Sequence, residues 1–287
     1  MTTTSRRKLW KTLGSIRFHF LTCLLGLIMI YPLIWLLMSS FKSNATMFKN
    51  TFSLIPAQWA IAANYSSGWT GVSGIPFGRF ILNTLIVAGI GTAGCVMSSV
   101  MAAYAFSRVK FKGSRFWFTC CIITMMIPSQ VMVVPQYIIF KKMGLINTLT
   151  SLMLPWFFGT GFFVFLIMQF IRGLPIELDE AAEIDGCSKV GIFFRIILPL
   201  TSPAIVTSTI FSFYWMWQDF FQPLIFMSRP EKYTVSLALN LFLDPNSLNN
   251  YGGLFAMSVV SLIPVILIFL IFQKYLVEGI ATTGMKN

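Results

Sequence analysis

The chain has 287 residues, of which 56% are hydrophobic and only 10% charged, and it carries a formal net charge of +12. So apolar a composition, with a mean hydropathy of +0.76, exceeds what a soluble core can hide and places the chain in a membrane. The basic balance suits a membrane topology and anionic lipid; nucleic acid would call for a clustered basic face on a soluble module, so no nucleic-acid partner is expected.

A helical span needs about 20 mostly uncharged residues. Six runs qualify: Phe18–Phe41, Phe80–Phe106, Phe116–Phe140, Thr150–Ile171, Ser202–Met227 and Leu254–Tyr275. All are apolar on every side and too long for barrel strands, so an all-α membrane protein of six transmembrane helices is expected. The first run follows "RRKLWK" but is long, lacks a small-x-small cleavage site and precedes five more runs, so it reads as a retained helix and not as a secretory leader. With the N-terminus inside, fourteen Lys and Arg fall on the cytoplasmic side and seven on the other, which puts both termini in the cytoplasm. No linker divides the chain, and residues 1–287 read as one membrane domain.

Within the second run Gly91, Gly94, Ser98 and Ala102 lie close to one helical face, a stripe that lets another helix approach closely. In the third, Pro128 and Pro135 each remove a backbone donor, as Pro264 does in the sixth, and kinks are expected there. The kink beside Gln130 either borders a hydrated path or is ordinary membrane-helix proline usage. Asp219, beside Trp217 and Gln218, is the only acidic residue inside a predicted span. Such a charge faces protein or water. It lines a passage or pairs with a partner subunit, and both readings stay open.

The connection from residue 174 to 200 is the one large internal loop, and residues 177–186, "ELDEAAEIDG", hold five of the nine acidic residues. Pro175 and the acids Glu177, Asp179 and Glu180 suit a helix start, and Gly186 suits its end. Leu178, Ala181 and Ala182 are expected to share a small apolar face while Glu183 stays solvated. A second amphipathic stretch, "SKVGIFFRIILPL", follows, and the two would form an elbow. The alternative is a solvated connection.

"ELDEAAEIDGCSKVGIFFRIILPL" resembles the EAA loop of ABC importer permeases. "NYSSGW…FGRFILNTLIVAG", "TMMIPSQVMVVPQYIIFKKMGLINT", "WQDFFQPLIF" and "FQKYLVEGIATTGMK" are similar to carbohydrate-importer permeases related to the second membrane subunit of the maltose transporter. "WQDF" departs from the more usual Trp-Asn-Glu-Phe, and Met168 stands where arginine is common. The resemblance implies a type I importer permease fold in a bacterial or archaeal inner membrane. It makes Glu180, Ala181, Ala182, Asp185 and Gly186 the ATPase-coupling contacts, Gly284 and Lys286 tail contacts, and Asp244, Asn246, Asn249 and Asn250 a loop reaching into the binding protein. It further implies a second permease subunit, two cytoplasmic ATPase subunits holding ATP and magnesium, an extracytoplasmic solute-binding protein and a sugar substrate. The chain lacks the GxxxxGK[ST] phosphate loop, so no cofactor and no ATPase activity of its own are expected, nor any metal ligation. An ion-coupled secondary transporter is the rival, although it would call for more intramembrane ionisable groups than Asp219. A membrane enzyme would need a converging nucleophile and base, which the sequence does not offer.

Overall fold

The computed structural model describes residues 3–49, 53–243 and 250–284. These form helices α1 Thr3–Ser39, α2 Ile61–Thr70, α3 Phe77–Arg108, α4 Ser114–Thr124, α5 Ser129–Lys142, α6 Leu149–Met153, α7 Gly161–Gly173, α8 Glu177–Ile184, α9 Lys189–Ile192, α10 Leu198–Leu200, α11 Ser202–Gln218, α12 Phe221–Phe226, α13 Val235–Leu241 and α14 Tyr251–Gly284. A tight 3-10 turn, Leu154–Phe158, follows α6, and a wider π turn, Phe193–Ile197, follows α9. Among the described residues the extended pairings are two isolated bridges, so the all-α expectation holds.

Four stretches are long and apolar enough to cross a membrane: Thr12–Ser39, Phe77–Arg108, Leu149–Gly173 and Tyr251–Lys274. Two more arise if the bent pairs Ser114–Thr124 with Ser129–Lys142 and Lys189–Leu200 with Ser202–Gln218 each count as one. At Pro128, where a kink is expected, the third span Phe116–Phe140 is broken outright. It stops at Thr124 and resumes at Ser129 at an angle of 101°, because Pro128 disfavours a helical conformation at Ile127 and lacks the N–H that would continue the ladder. Pro135, in contrast, lies inside α5, and Pro264 inside the unbroken α14. The fifth span also ends short of Met227: α11 stops at Gln218, Asp219 is extended, and a separate turn carries residues 221–226.

The described residues pack as two compact units, one within residues 1–71 with 242–260 and one within residues 72–241 with 261–287. In the first, Asn64 of α2 is buried and donates from Nδ2 to the carbonyls of Ser40 and Lys42, both at 2.8 Å, which secures the end of α1. Lys42 is itself buried and donates to the Ser53 carbonyl at 2.6 Å.

The second unit is organised around α3. Its buried face packs on α7 and α11 through Ala88, Cys95, Val100, Phe163, Ile167, Ile171, Phe213 and Met216, among others. The small residues predicted on α3 do admit close neighbours within the chain: Gly94 lies against the Phe157 ring and Gly91 against Met216. At the Phe77 end, buried Asn83 donates to the carbonyls of Glu231 and Tyr233, both at 2.9 Å, and Thr84 Oγ1 accepts from the Val235 amide at 2.8 Å. Nearby, Asn147 accepts from the Ser228 and Arg229 amides and donates to Ser228 Oγ, joining the α5–α6 loop to the segment after α12.

Candidate functional site

The acidic segment folds as an elbow. Leu174 is extended, as a residue before proline should be, and it separates α7 from α8. Glu177, Asp179 and Glu180 occupy the first turn of α8, where the helix dipole favours negative charge. Gly186 adopts φ +80°. Its amide donates to Glu183 O at 3.0 Å and the Cys187 amide to Ala182 O at 2.9 Å, the paired bonds of a glycine-closed helix end. Ser188 Oγ then caps α9 by accepting from the Gly191 amide at 3.2 Å. An ion pair between Lys189 and Glu183 spans the turn on its exposed side.

This elbow is no solvated connection. Ile192, Phe193 and Ile197 are buried in the core of α3 and α7, and the Phe193 ring lies 5.2 Å from that of Tyr104. The face sorting of α8 differs from expectation. Ala182 is buried against that core together with Asp179, whereas Glu177, Leu178, Glu180, Ala181 and Asp185 are exposed and Ile184 is 86% exposed. The outward face is thus Leu178, Ala181 and Ile184 with carboxylates beside them. Ala182 serves the fold, since a residue one position from Ala181 turns by about 100° around the helix.

Three residues hold the elbow: Arg108 and Tyr104, which sequence reasoning passed over, and Asp179, read there only as a helix-start acid. Arg108, at the end of α3, donates from Nη2 to the carbonyls of Ile171 (3.0 Å) and Leu174 (2.7 Å) at the end of α7. Its Nε lies 3.3 Å from Asp179 Oδ2, and the two side chains are only 7% and 8% exposed. One turn earlier Tyr104 donates to the Lys189 carbonyl at 3.0 Å. Burial pushes the Asp179 carboxyl above its ordinary 3.8, and the Arg108 charge pulls it only part of the way back. Arg108 reads in sequence as one more topological charge, and only its acidic neighbours 71 positions on, all but Asp179 exposed, hint at a partner.

The other candidates are dispersed. Gln130 is exposed on the first turn of α5, beside the break in the third span. Trp217 is buried, stacked on Phe213, with Nε1 donating to the Ser261 carbonyl at 3.1 Å, so its indole packs within this chain. Gln218 is exposed. Asp219 Oδ1 accepts from the amides of Phe221 (3.1 Å) and Gln222 (3.3 Å), which secures the first turn of α12. Asn250 caps α14, accepting from the Gly253 amide at 2.9 Å and donating to Ser67 Oγ at 3.2 Å. Gly284 is the last residue of α14. Asp244, Asn246, Asn249 and Lys286 lie outside the described residues.

Residues 94–282 match the family described as "Binding-protein-dependent transport system inner membrane component". The chain belongs to that family. The permease is 37% identical to the "Probable ABC transporter permease protein YurM" of Bacillus subtilis, over 90% of its own length and 84% of that protein. It is 31% identical to the arabinooligosaccharides transport system permease protein AraQ of Halalkalibacterium halodurans, over 92% of its own length and 93% of the relative. Its fold is that of a chain in a bacterial ABC transporter involved in the import of the acidic polysaccharide alginate, with a TM-score of 0.80 at 21% identity, covering 96% of the permease and 98% of that chain. The elbow lies inside the matched region.

Proposed function

We propose that the permease is one membrane half of an ATP-driven, binding-protein-dependent importer of sugars, oligosaccharides first among them, in a bacterial or archaeal inner membrane. The observation that carries this reading is the elbow: α8 presents Leu178, Ala181 and Ile184 outward among carboxylates while its other face is locked into the core. An exposed apolar stripe on a helix of eight residues is costly in water, and its seat on a rigid support suits insertion into a groove of another protein. Two cytoplasmic ATPase subunits, which hold the ATP and magnesium, supply that groove. A second, homologous permease subunit completes the path, with membrane lipid around both, and an extracytoplasmic solute-binding protein delivers the sugar.

In this reading ATP-driven closure of the motor moves α8, and the spans pass between inward- and outward-open arrangements, each ligand favouring one of the two. Glu180, Ala181 and Asp185 are the coupling contacts, and Gly186 sets the angle at which they are offered. Sugars of the kinds handled by the relatives, arabinooligosaccharides and alginate among them, are the substrates to try first. Thermal stabilisation of the cognate binding protein by candidate glycans identifies the cargo. The functional test is Gly186→Pro in the reconstituted complex: the left-handed residue cannot be proline, so assembly should survive while binding-protein-stimulated ATP hydrolysis disappears. Retained stimulation would remove the elbow from the coupling path.

A further inference from the structure

We infer that Arg108 is a positioning residue for transport, the clamp through which displacement of α8 becomes displacement of α3. This rests on the importer reading above. The chain between α7 and α8 is the three-residue segment Leu174–Ile176, a joint about which α8 could pivot. One guanidinium bridges that joint: it holds the end of α7 through Ile171 O and Leu174 O and faces α8 through Asp179 Oδ2. Two carbonyl acceptors and a carboxylate 3.3 Å from Nε, all reached from α3, suit the planar fork of arginine; the compact ammonium of lysine does not match it. Tyr104, one turn earlier on the same face of α3, holds the far arm of the elbow at Lys189 O. Both arms are therefore gripped by one helix.

The energetics point to placement over stability. A buried ion pair gains little over a well-packed apolar pair, because desolvation of both charges offsets their attraction. What apolar packing lacks is direction, which the hydrogen bonds and charge geometry impose. Helix α3 then runs from this clamp to Asn83 and Thr84, 25 residues or about 37 Å away. There it holds the Glu231–Val235 segment through three hydrogen bonds. Helix α3 is a rod gripped at both ends, so a push at α8 arrives at the opposite face as a movement of residues 231–235.

The test uses the full complex of both permeases and both ATPase subunits in liposomes, with its binding protein, and reads sugar transported per ATP hydrolysed. The paired variant Arg108→Met with Asp179→Leu removes both charges together. It is expected to assemble at the wild-type yield while that ratio falls by roughly 5- to 50-fold, with Arg108→Lys between the two. A double variant that transports at the wild-type ratio overturns the inference. Should that pair not assemble, the near-isosteric Tyr104→Phe with Asp179→Asn weakens both grips without opening a cavity. It is expected to lower the ratio several-fold, and an unchanged ratio overturns the inference equally. If the wild-type complex itself shows no binding-protein-dependent uptake, the importer reading falls.

Discussion

Gly161 begins α7 directly against the end of α4. A Cβ there would lie 2.5 Å from the Cys121 carbonyl oxygen, 2.8 Å from Met125 Cγ and 3.2 Å from Thr124 Oγ1. The nearest atom is backbone and cannot rotate away, so Gly161→Ala must separate the two helices or bend one of them. Overpacking costs about 1–3 kcal/mol, and an immovable neighbour places this substitution at about 2–3 kcal/mol. At Gly94 the added Cβ meets the Phe157 ring at 2.7 Å, but that ring is half-exposed and can swing, so Gly94→Ala should cost about 1 kcal/mol. Gly89, in the same helix, has nothing within 4 Å of an added Cβ. There alanine should stabilise by about 0.5–1 kcal/mol through helix propensity alone. Thermal unfolding of the detergent-purified complex, followed by tryptophan fluorescence, ranks the three. At about 2–4 °C per kcal/mol, Gly161→Ala should lower Tm by about 4–12 °C. A Gly161→Ala protein as stable as Gly89→Ala would refute the close approach of α4 to α7.

Trp217→Phe keeps the stacking on Phe213 and loses the bond to Ser261 O, so a stability loss of about 1 kcal/mol with undiminished transport is expected. Transport lost at unchanged Tm would return Trp217 to the path. Asp219→Asn retains an oxygen acceptor for the Phe221 and Gln222 amides and should be mild, whereas Asp219→Ala should cost about 0.5–2 kcal/mol. Equal Tm losses for the two would mean that the carboxylate acts by its charge. Asp179 predicts a pH dependence: its folded-state pKa is raised above 3.8, so its favourable contribution is full below that value and fades as pH climbs through the raised one. The Tm difference between wild type and Asp179→Asn should therefore shift in favour of wild type on acidification. A shift the other way would mean that Arg108 outweighs burial.

Much of this molecule is local in origin and therefore legible along the chain. The six apolar runs, the acidic first turn of α8 and the Gly186 closure each depend on residues within a turn or two of one another. What escaped reading depends on distant partners. Nothing beside Arg108 announces the Ile171 and Leu174 carbonyls, and nothing beside Trp217 announces Ser261 O. Asp219 illustrates a different failure. As an acid inside an apolar run it suggests a passage or a partner, but α11 ends one residue before it and its carboxylate is taken up by the next two amides but one. The break at Pro128 was visible as a proline, yet a kink and a 101° turn share one sequence signal. Ala182 was placed on the wrong side because eight residues give too short a pattern to set a phase.

The interruption between α4 and α5 carries a consequence for assembly. Carbonyls just before Pro128 cannot find the amides four residues on that a continuous helix would provide, and hydrocarbon offers no substitute. Yet Met125, Met126 and Ile127 are exposed on this chain, Met126 at 80%. Lipid accepts such apolar side chains but not carbonyls left without a donor, which call for shelter by protein or an aqueous vestibule. In the importer reading, a second permease subunit that covered this break would have a thermodynamic reason to assemble that is independent of any need to move cargo.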